Sequence, residues 1–382
     1  MKNFIYQNPT KLVFGKGQIA KLPQLIPAGK KIMITFGGGS VKSNGVYDQV
    51  KTALKDFETI EFWGIEPNPK VETLRKAIEL GKEKNIDFLL AVGGGSVLDG
   101  TKLISAALAM PDKEAWEIVL SGYAPVNTPY ASVMTLPATG SEMNRGSVIS
   151  RKETKEKYAF YSVDYPQFCI LDPEVTYSLP KNQLANGLSD VFVHVMEQYL
   201  TTTGQSRVMD RWAEGILHTI IEIAPKVLSG THDYDTMADF MLSATLALND
   251  MIRMGVTEDW ATHMIGHELT ALYGIAHGAS LAIVLPGTMS VMREPKRGKL
   301  LQYADRIWNI TEGGEDERIN LAIARTVDFF NSLGQATRLS EAGIPEEAAA
   351  EVERRFNERD VHYGEEGNVT GKVARQILES RK

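Results

Sequence analysis

The chain has 382 residues, with 41 basic and 48 acidic side chains and a net charge of −7. That length suggests two or three domains with ample core, and the acidic balance argues against a nucleic-acid partner, which would need a basic face. The single cysteine, Cys169, excludes an intrachain disulfide and a cysteine-based zinc site; the opening MKNFIYQNPTKLVFGKG has no apolar core of a signal peptide; and no apolar run is long enough for a membrane span, so a cytoplasmic protein is expected.

Along the chain, KKIMITFGGG reads as a strand closed by a glycine turn, and TIEFWG reads as a second strand. VETLRKAIELGKEK has the period of an amphipathic helix. IDFLLAVGGGS is a buried strand that again stops on glycines. SVLDGTKLISAALAM is helical, and YASVMTLPATGS is strand then turn. Strands separated by helices imply a mostly parallel sheet. Near Tyr177-Ser178-Leu179-Pro180 the character changes to helix, with no convincing strand beyond it. The expected domains are therefore an α/β domain over 1–180, with a Rossmann-like parallel sheet, and an all-helical domain over 181–382.

Two glycine clusters, Gly37-Gly38-Gly39-Ser40 and Gly93-Gly94-Gly95-Ser96, each follow a strand and precede a helix. Ligands bind at the carboxyl ends of such strands, and glycine lets the backbone approach phosphate oxygens. Neither cluster is G-x-G-x-x-G or a P-loop. Each taken alone is also compatible with a plain strand-to-helix turn, but two in equivalent positions favour a nucleotide. The first has no carboxylate to bond a ribose 2′-hydroxyl, and its small residues, hydroxyl and nearby Lys42 leave room for a 2′-phosphate, while Lys42 taken alone reads first as a solvated surface charge. The hydroxyl-rich TLPATGSE stretch fits either a pyrophosphate or ordinary turns and caps.

In the helical half, Asp190 and His194 have i, i+4 spacing and leave one helix face a turn apart, as do His263 and His267; His277 lies just beyond that second helix. Only seven histidines are present, and three fall between 263 and 277. A carboxylate with three imidazoles suits Fe²⁺ or Zn²⁺ and poorly suits Mg²⁺ or Ca²⁺. Spacing alone leaves open which three histidines would bind. HMIGHE is not the zinc-protease H-E-x-x-H, because the Glu follows the second His.

Taken together, GGGSVLDGTK, TLPATGSEMN, DPEVTYSLP, NGLSDVFVHVMEQY and HMIGHELTALYGIAHG resemble the iron-containing alcohol dehydrogenase family over essentially the whole chain. Within it, GGGSVKSNGVYDQV and EPNP are most similar to NADP-dependent butanol dehydrogenases and broad-range bacterial aldehyde reductases. The resemblance implies a dehydroquinate synthase-like architecture, NADP(H), one Fe²⁺ or Zn²⁺, and hydride transfer between a primary alcohol or aldehyde and the cofactor. It assigns Asp190, His194, His263 and His277 to the metal, and His267 to the nicotinamide and substrate side. It places Gly37, Gly38, Ser40 and Asn68 at the adenosine end, and Gly95 and Ser96 at the pyrophosphate. Asp99 neighbours that loop and counts with His267 as catalytic. Thr135, Ser141, Asn144, Lys157 and Leu179 match the rest of the cofactor groove. A homodimer is implied, joined through an edge such as NFIYQ or KLVFG. Trp260, Met143 and Phe160 are pocket candidates, with core packing an equal reading.

The GIAHGAS stretch departs from one family form but keeps the histidine, and the segment from Pro345 on carries no family motif. Rival readings are a glycerol dehydrogenase or dehydroquinate synthase-like enzyme, or a non-catalytic nucleotide-binding relative. The synthase reading lacks its dense basic cluster beside the ligands, and the non-catalytic one does not explain why all four ligands are retained.

Overall fold

The computed structural model describes residues 1–382. Internal contacts divide them into an α/β unit, Gln7–Pro180 with His232–Asn249, and a helical unit, Met1–Tyr6 with Lys181–Thr231 and Asp250–Lys382.

The α/β unit contains nine strands: β1 (Lys11–Phe14), β2 (Lys31–Phe36), β3 (Glu58–Phe62), β4 (Phe88–Gly94), β5 (Tyr123–Ala124), β6 (Tyr130–Leu136), β7 (Gly146–Arg151), β8 (Glu156–Ser162) and β9 (Phe168–Leu171). Six of them form one parallel sheet in the order β1-β9-β6-β4-β2-β3. Its central strands are apolar along nearly their whole length, as strands covered on both faces must be. Alternate residues feed two cores. Ile32, Ile34, Leu90 and Val92 enter one with α3 (Val46–Ala53), reached after α1 (Leu22–Leu25) and α2 (Ser40–Ser43). Met33, Leu89 and Ala91 enter the other with α4 (Val71–Glu83), α5 (Gly95–Ala109) and α6 (Ala115–Leu120).

The helices after β2 therefore cover one face and those after β3 and β4 the other. The chain reverses its direction of travel between β2 and β4, the switch point at whose carboxyl edge open α/β sheets take ligands. Both glycine clusters stand at that edge. The remaining strands make a second, three-stranded sheet, β5-β8-β7, which the alternation of strands and helices does not foretell.

Beyond Pro180 come α7 (Lys181–Tyr199) and α8 (Arg207–Leu228), then α9 (Tyr234–Ala247). Helix α9 is where the structure differs from the expected grouping of everything after 180 in one helical domain. It packs in the α/β unit: the Thr245 hydroxyl donates to Glu142 at 2.5 Å, and Tyr177 stacks on His232 at 4.7 Å. The sequence pattern reveals a helix but not which core it joins. The helical unit continues with α10 (Ala261–Tyr273), α11 (His277–Val291), α12 (Arg297–Trp308), α13 (Glu315–Ser332), α14 (Ala348–Glu358) and α15 (Gly371–Glu379). Ile265, Leu269, Ile283, Val352, Phe356 and Ile377 unite α10, α11, α14 and α15 in one core. No helix is long and apolar enough to cross a membrane.

Candidate functional site

Helix α7 is buried on almost every face from Gly187 to Tyr199, so Asp190 and His194 project into protein rather than water. Their shared face meets His263 on α10 and His277, the first residue of α11. One oxygen organises the group. Asp190 Oδ1 lies 3.6 Å from His194 Nε2, 3.9 Å from His263 Nε2 and 3.5 Å from His277 Nε2. Bonds of about 2.1 Å to a tetrahedral cation put ligand atoms about 3.4 Å apart, so these spacings suit an ion among the four. Donor atoms of Asp190, His263 and His277 all fall within 4.8 Å of one another. Close-range packing of His194 on His263, with ring centroids 4.8 Å apart, adds the fourth.

The tautomer of His263 fits the same reading. Its Nδ1–H and its backbone N–H both donate to Glu197 Oε1, at 3.0 and 2.8 Å. This leaves the Nε2 lone pair turned toward Asp190, buried and without a hydrogen-bond partner. A carboxylate behind a ligating histidine fixes ring orientation and makes the ring more basic. Burial works against charge on His263, but Asp190 and Glu197 outweigh it and hold its pKa above the ordinary value. Burial likewise pushes the Glu197 carboxyl up, against the pull of His263. Sequence reading missed Glu197. The signal was its position three residues after His194, on the ligand face.

His267, one turn beyond His263, is buried with its ring 5.1 Å from that of His277 and 6.4 Å from that of His263. It stands beside the cluster rather than among the donors that converge on Asp190. Trp260 precedes α10 with φ of 62°, a conformation that costs a non-glycine residue about 1–3 kcal/mol. The strain turns its indole edge-on to His263 and His194, at 5.0 and 6.2 Å. Of the other pocket candidates, Phe160 is fully buried in the core and Met143 packs against it.

In the α/β unit, the loop Gly64–Pro69 links the two glycine clusters. Gly64 N–H donates to Gly37 O at 3.2 Å, and Asn68 N–H donates to Ser96 Oγ at 3.3 Å. Lys157 Nζ reaches Asn68 Oδ1 at 2.9 Å, so Asn68, Ser96 and Lys157 form one string. A Cβ on Gly95 would meet Thr139 Oγ1 at 2.3 Å, and one on Gly93 would meet Val97 at 2.5 Å, so close packing demands glycine at both. At Gly38 nothing lies within 4 Å of that position, which leaves exposed backbone that a phosphate can approach.

A second network gathers Asp99, Ser141 and Asn144. The Ser141 hydroxyl donates to Asp99 Oδ1 at 2.7 Å, and Val148 N–H donates to Oδ2 at 3.0 Å. Burial raises the Asp99 pKa despite Lys102 and Ser141. Lys102 Nζ, fully buried, donates to Ser141 O, Ser141 Oγ, Asn144 Oδ1 and Gly146 O at 2.6–3.1 Å, and so ties the turn after β6 to α5. Sequence reading passed over it as one cation in GTKLISAALA, although it sits one turn from Asp99. Thr135 is buried at the end of β6, and the N–H of half-buried Leu179 donates backward to Thr176 O; neither is hydrogen-bonded into these networks.

The family model for iron-containing alcohol dehydrogenase matches residues 9–173, and that for the Fe-containing alcohol dehydrogenase family, C-terminal, matches 184–379. The chain is 50% identical to the NADPH-dependent aldehyde reductase YqhD of Escherichia coli, over the full length of both. It is 45% identical to a probable NADH-dependent butanol dehydrogenase 1 of Bacillus subtilis, over 91% of each chain. The crystal structure of the E. coli protein superposes with a TM-score of 0.98, covering 100% of this chain and 99% of that one. That of NADH-dependent butanol dehydrogenase A from Thermotoga maritima, 35% identical, superposes at 0.94 with the same coverage.

Proposed function

Because the chain belongs to the iron-containing alcohol dehydrogenase family, we propose that it is a metal-dependent oxidoreductase passing hydride between NADP(H) and a primary alcohol or aldehyde. The observation that carries the reading is the convergence of three imidazoles on one buried carboxylate oxygen at near-tetrahedral spacings. Asp190, His194, His263 and His277 are the residues that would hold the ion, Fe²⁺ or Zn²⁺. When bound, the ion supplies Lewis acidity and the nicotinamide supplies hydride.

The protein's own residues do the rest. Glu197 holds His263 in the Nδ1–H tautomer, and the strained backbone at Trp260 keeps an apolar ring against two ligands and limits water. His267, buried beside the ligands, moves the proton to or from the alcohol oxygen, a general acid–base task that histidine side chains commonly serve. Gly37, Gly38, Ser40 and Asn68 take the adenosine end, Gly95 and Ser96 the pyrophosphate, and Thr135, Ser141, Asn144, Lys157 and Leu179 the remaining groove; Lys102 fixes its wall, and Asp99, expected to be catalytic, is hydrogen-bonded to Ser141 and Val148 and so acts by positioning that wall. NADP(H) is favoured over NAD(H) because no carboxylate stands at the end of β2 to bond a 2′-hydroxyl and repel a 2′-phosphate. The enzyme works in the cytoplasm as a homodimer; β1 supports the latter, since it pairs with β9 alone and leaves the other side of the sheet edge open.

The test is oxidation of NADPH by purified protein with a series of short aldehydes, alongside metal content by elemental analysis. Stoichiometric iron or zinc with aldehyde-dependent turnover is expected. Metal-free protein that turns over at the full rate would refute the metal's role.

A further inference from the structure

Trp63 follows β3 and lies beside Phe36, the last residue before the first glycine cluster. The register Thr35↔Phe62 puts it there, and Ile65 N–H closes the step on Phe36 O at 3.1 Å. Its indole stacks on the Phe36 ring at 4.1 Å and packs against Tyr47 at 5.6 Å. Glu61 ties the wall together: Trp63 Nε1 donates to one carboxylate oxygen at 2.9 Å, and Tyr47 OH and Lys51 Nζ reach the other at 3.0 and 2.9 Å. Lys42, two residues beyond Ser40, lays its ammonium over this wall, 4.1 Å from the indole centroid and 5.6 Å from the Tyr47 ring. Lys42 is exposed and makes no ion pair, and Glu61 already serves three other donors.

An aromatic face holds a cation in place without cancelling its charge, as a carboxylate would. A flexible lysine otherwise loses side-chain entropy when it meets an anion, and part of that ordering is done here in advance. We propose that Trp63 and Tyr47 form a platform that presents the Lys42 ammonium to the 2′-phosphate of the cofactor, which makes Trp63 a specificity-determining residue that never touches the phosphate. The proposal rests on the assignment of the first glycine cluster to the adenosine end, with Gly38 open to a ligand.

The experiment is calorimetric binding of 2′,5′-ADP and 5′-AMP to the full-length protein, which needs neither metal nor turnover. Lys42→Met should lower affinity for 2′,5′-ADP about tenfold and leave 5′-AMP within about twofold. Trp63→Leu should lower it about two- to fivefold, with Trp63→Phe between, and should have no further effect once Lys42 is Met. Loss from Trp63→Leu that is equal for both ligands, or that persists in the Lys42→Met background, would mark a merely structural role and overturn the platform. An unaltered protein that binds 5′-AMP as tightly as 2′,5′-ADP would overturn the NADP(H) reading and the platform together. Discrimination that survives Lys42→Met would overturn the platform alone.

Discussion

Replacing Glu197 with Gln should weaken metal binding without touching a ligand. In the native site Glu197 Oε1 accepts two hydrogen bonds from His263, from the backbone N–H at 2.8 Å and from the ring Nδ1–H at 3.0 Å. Gln can keep one neutral acceptor in that place but loses the charge that makes the imidazole a better donor to the ion. It also lets the amide turn so that its NH₂ faces the ring and favours the wrong tautomer. Outer partners of this kind are worth about 10- to 100-fold in metal affinity, or about 1.4–2.7 kcal/mol. Glu197→Ala should be worse, because it strands two buried donors at about 1–3 kcal/mol each. The assay is competition of metal-reconstituted protein against a chromophoric chelator, with far-ultraviolet dichroism to confirm that the helices persist. Metal affinity within about twofold of the unaltered protein in Glu197→Gln would refute the argument that the His263 tautomer is set from behind.

His194→Ala and His277→Ala should each abolish bound metal and turnover while leaving the fold largely intact; full occupancy by elemental analysis would sink the four-ligand assignment. The unaltered protein should prefer NADPH to NADH by at least about tenfold in kcat/KM, about 1.4 kcal/mol, and Gly38→Asp should erase the preference by repelling the 2′-phosphate; steady-state kinetics with both cofactors decides it. Lys296→Met should destabilise the protein by about 3–5 kcal/mol, since Asp259 and Glu365 contact its Nζ at 2.8 and 3.2 Å and would be left as buried carboxylates without their cation; an unchanged denaturation midpoint would contradict this. Light scattering should give a dimer, and a monomer at micromolar concentration would remove the role given to the β1 edge.

The central sheet was legible because β2, β4 and β6 are mostly apolar runs that stop on glycine or on Pro137, and a strand buried on both faces leaves that trace. The pairing of Asp190 with His194 was legible because helical spacing puts both on one face before any fold is known, whereas spacing did not separate His277 from His267 and only the family resemblance did. The β7–β8 hairpin was not: its strands are half-exposed and mixed in polarity, so KETK between them reads as solvated chain rather than a turn. Glu197 and Lys102 escaped for a different reason. A charged residue on a helix is usually solvated, and only tertiary structure shows that each is buried on several partners. Helix α9 is apolar on most faces with little amphipathic periodicity, and its place in the α/β unit is set by contacts such as Thr245 with Glu142 that no local pattern encodes.

The tail beyond Pro345 supplies none of the four donor residues, yet it braces the helices that do, through apolar packing and through charge. Arg355 Nε donates to Glu268 Oε2 at 2.5 Å, and Arg359 binds the other oxygen, so α14 grips α10 at the residue next to His267. At the other end of α10, Asp259 Oδ1 accepts from Ala261 N–H at 3.1 Å while Lys296 Nζ holds its second oxygen. Glu365 completes that knot by accepting from Lys296 and from the backbone of Thr202 and Thr203 just after α7. Asp259 N–H bonds in turn to Glu197 O at 2.9 Å. The helix that carries His263 and His267 is thus pinned at its start and along its body, and its start is tied to the helix that carries Asp190 and His194. A metal site needs donors placed to a fraction of an ångström, and such precision comes from supporting residues as much as from ligands. The apolar residues of the same tail, Val352, Phe356 and Ile377, pack on α10 and α11, so the arginines and the glutamate that brace the donors are themselves held by the core.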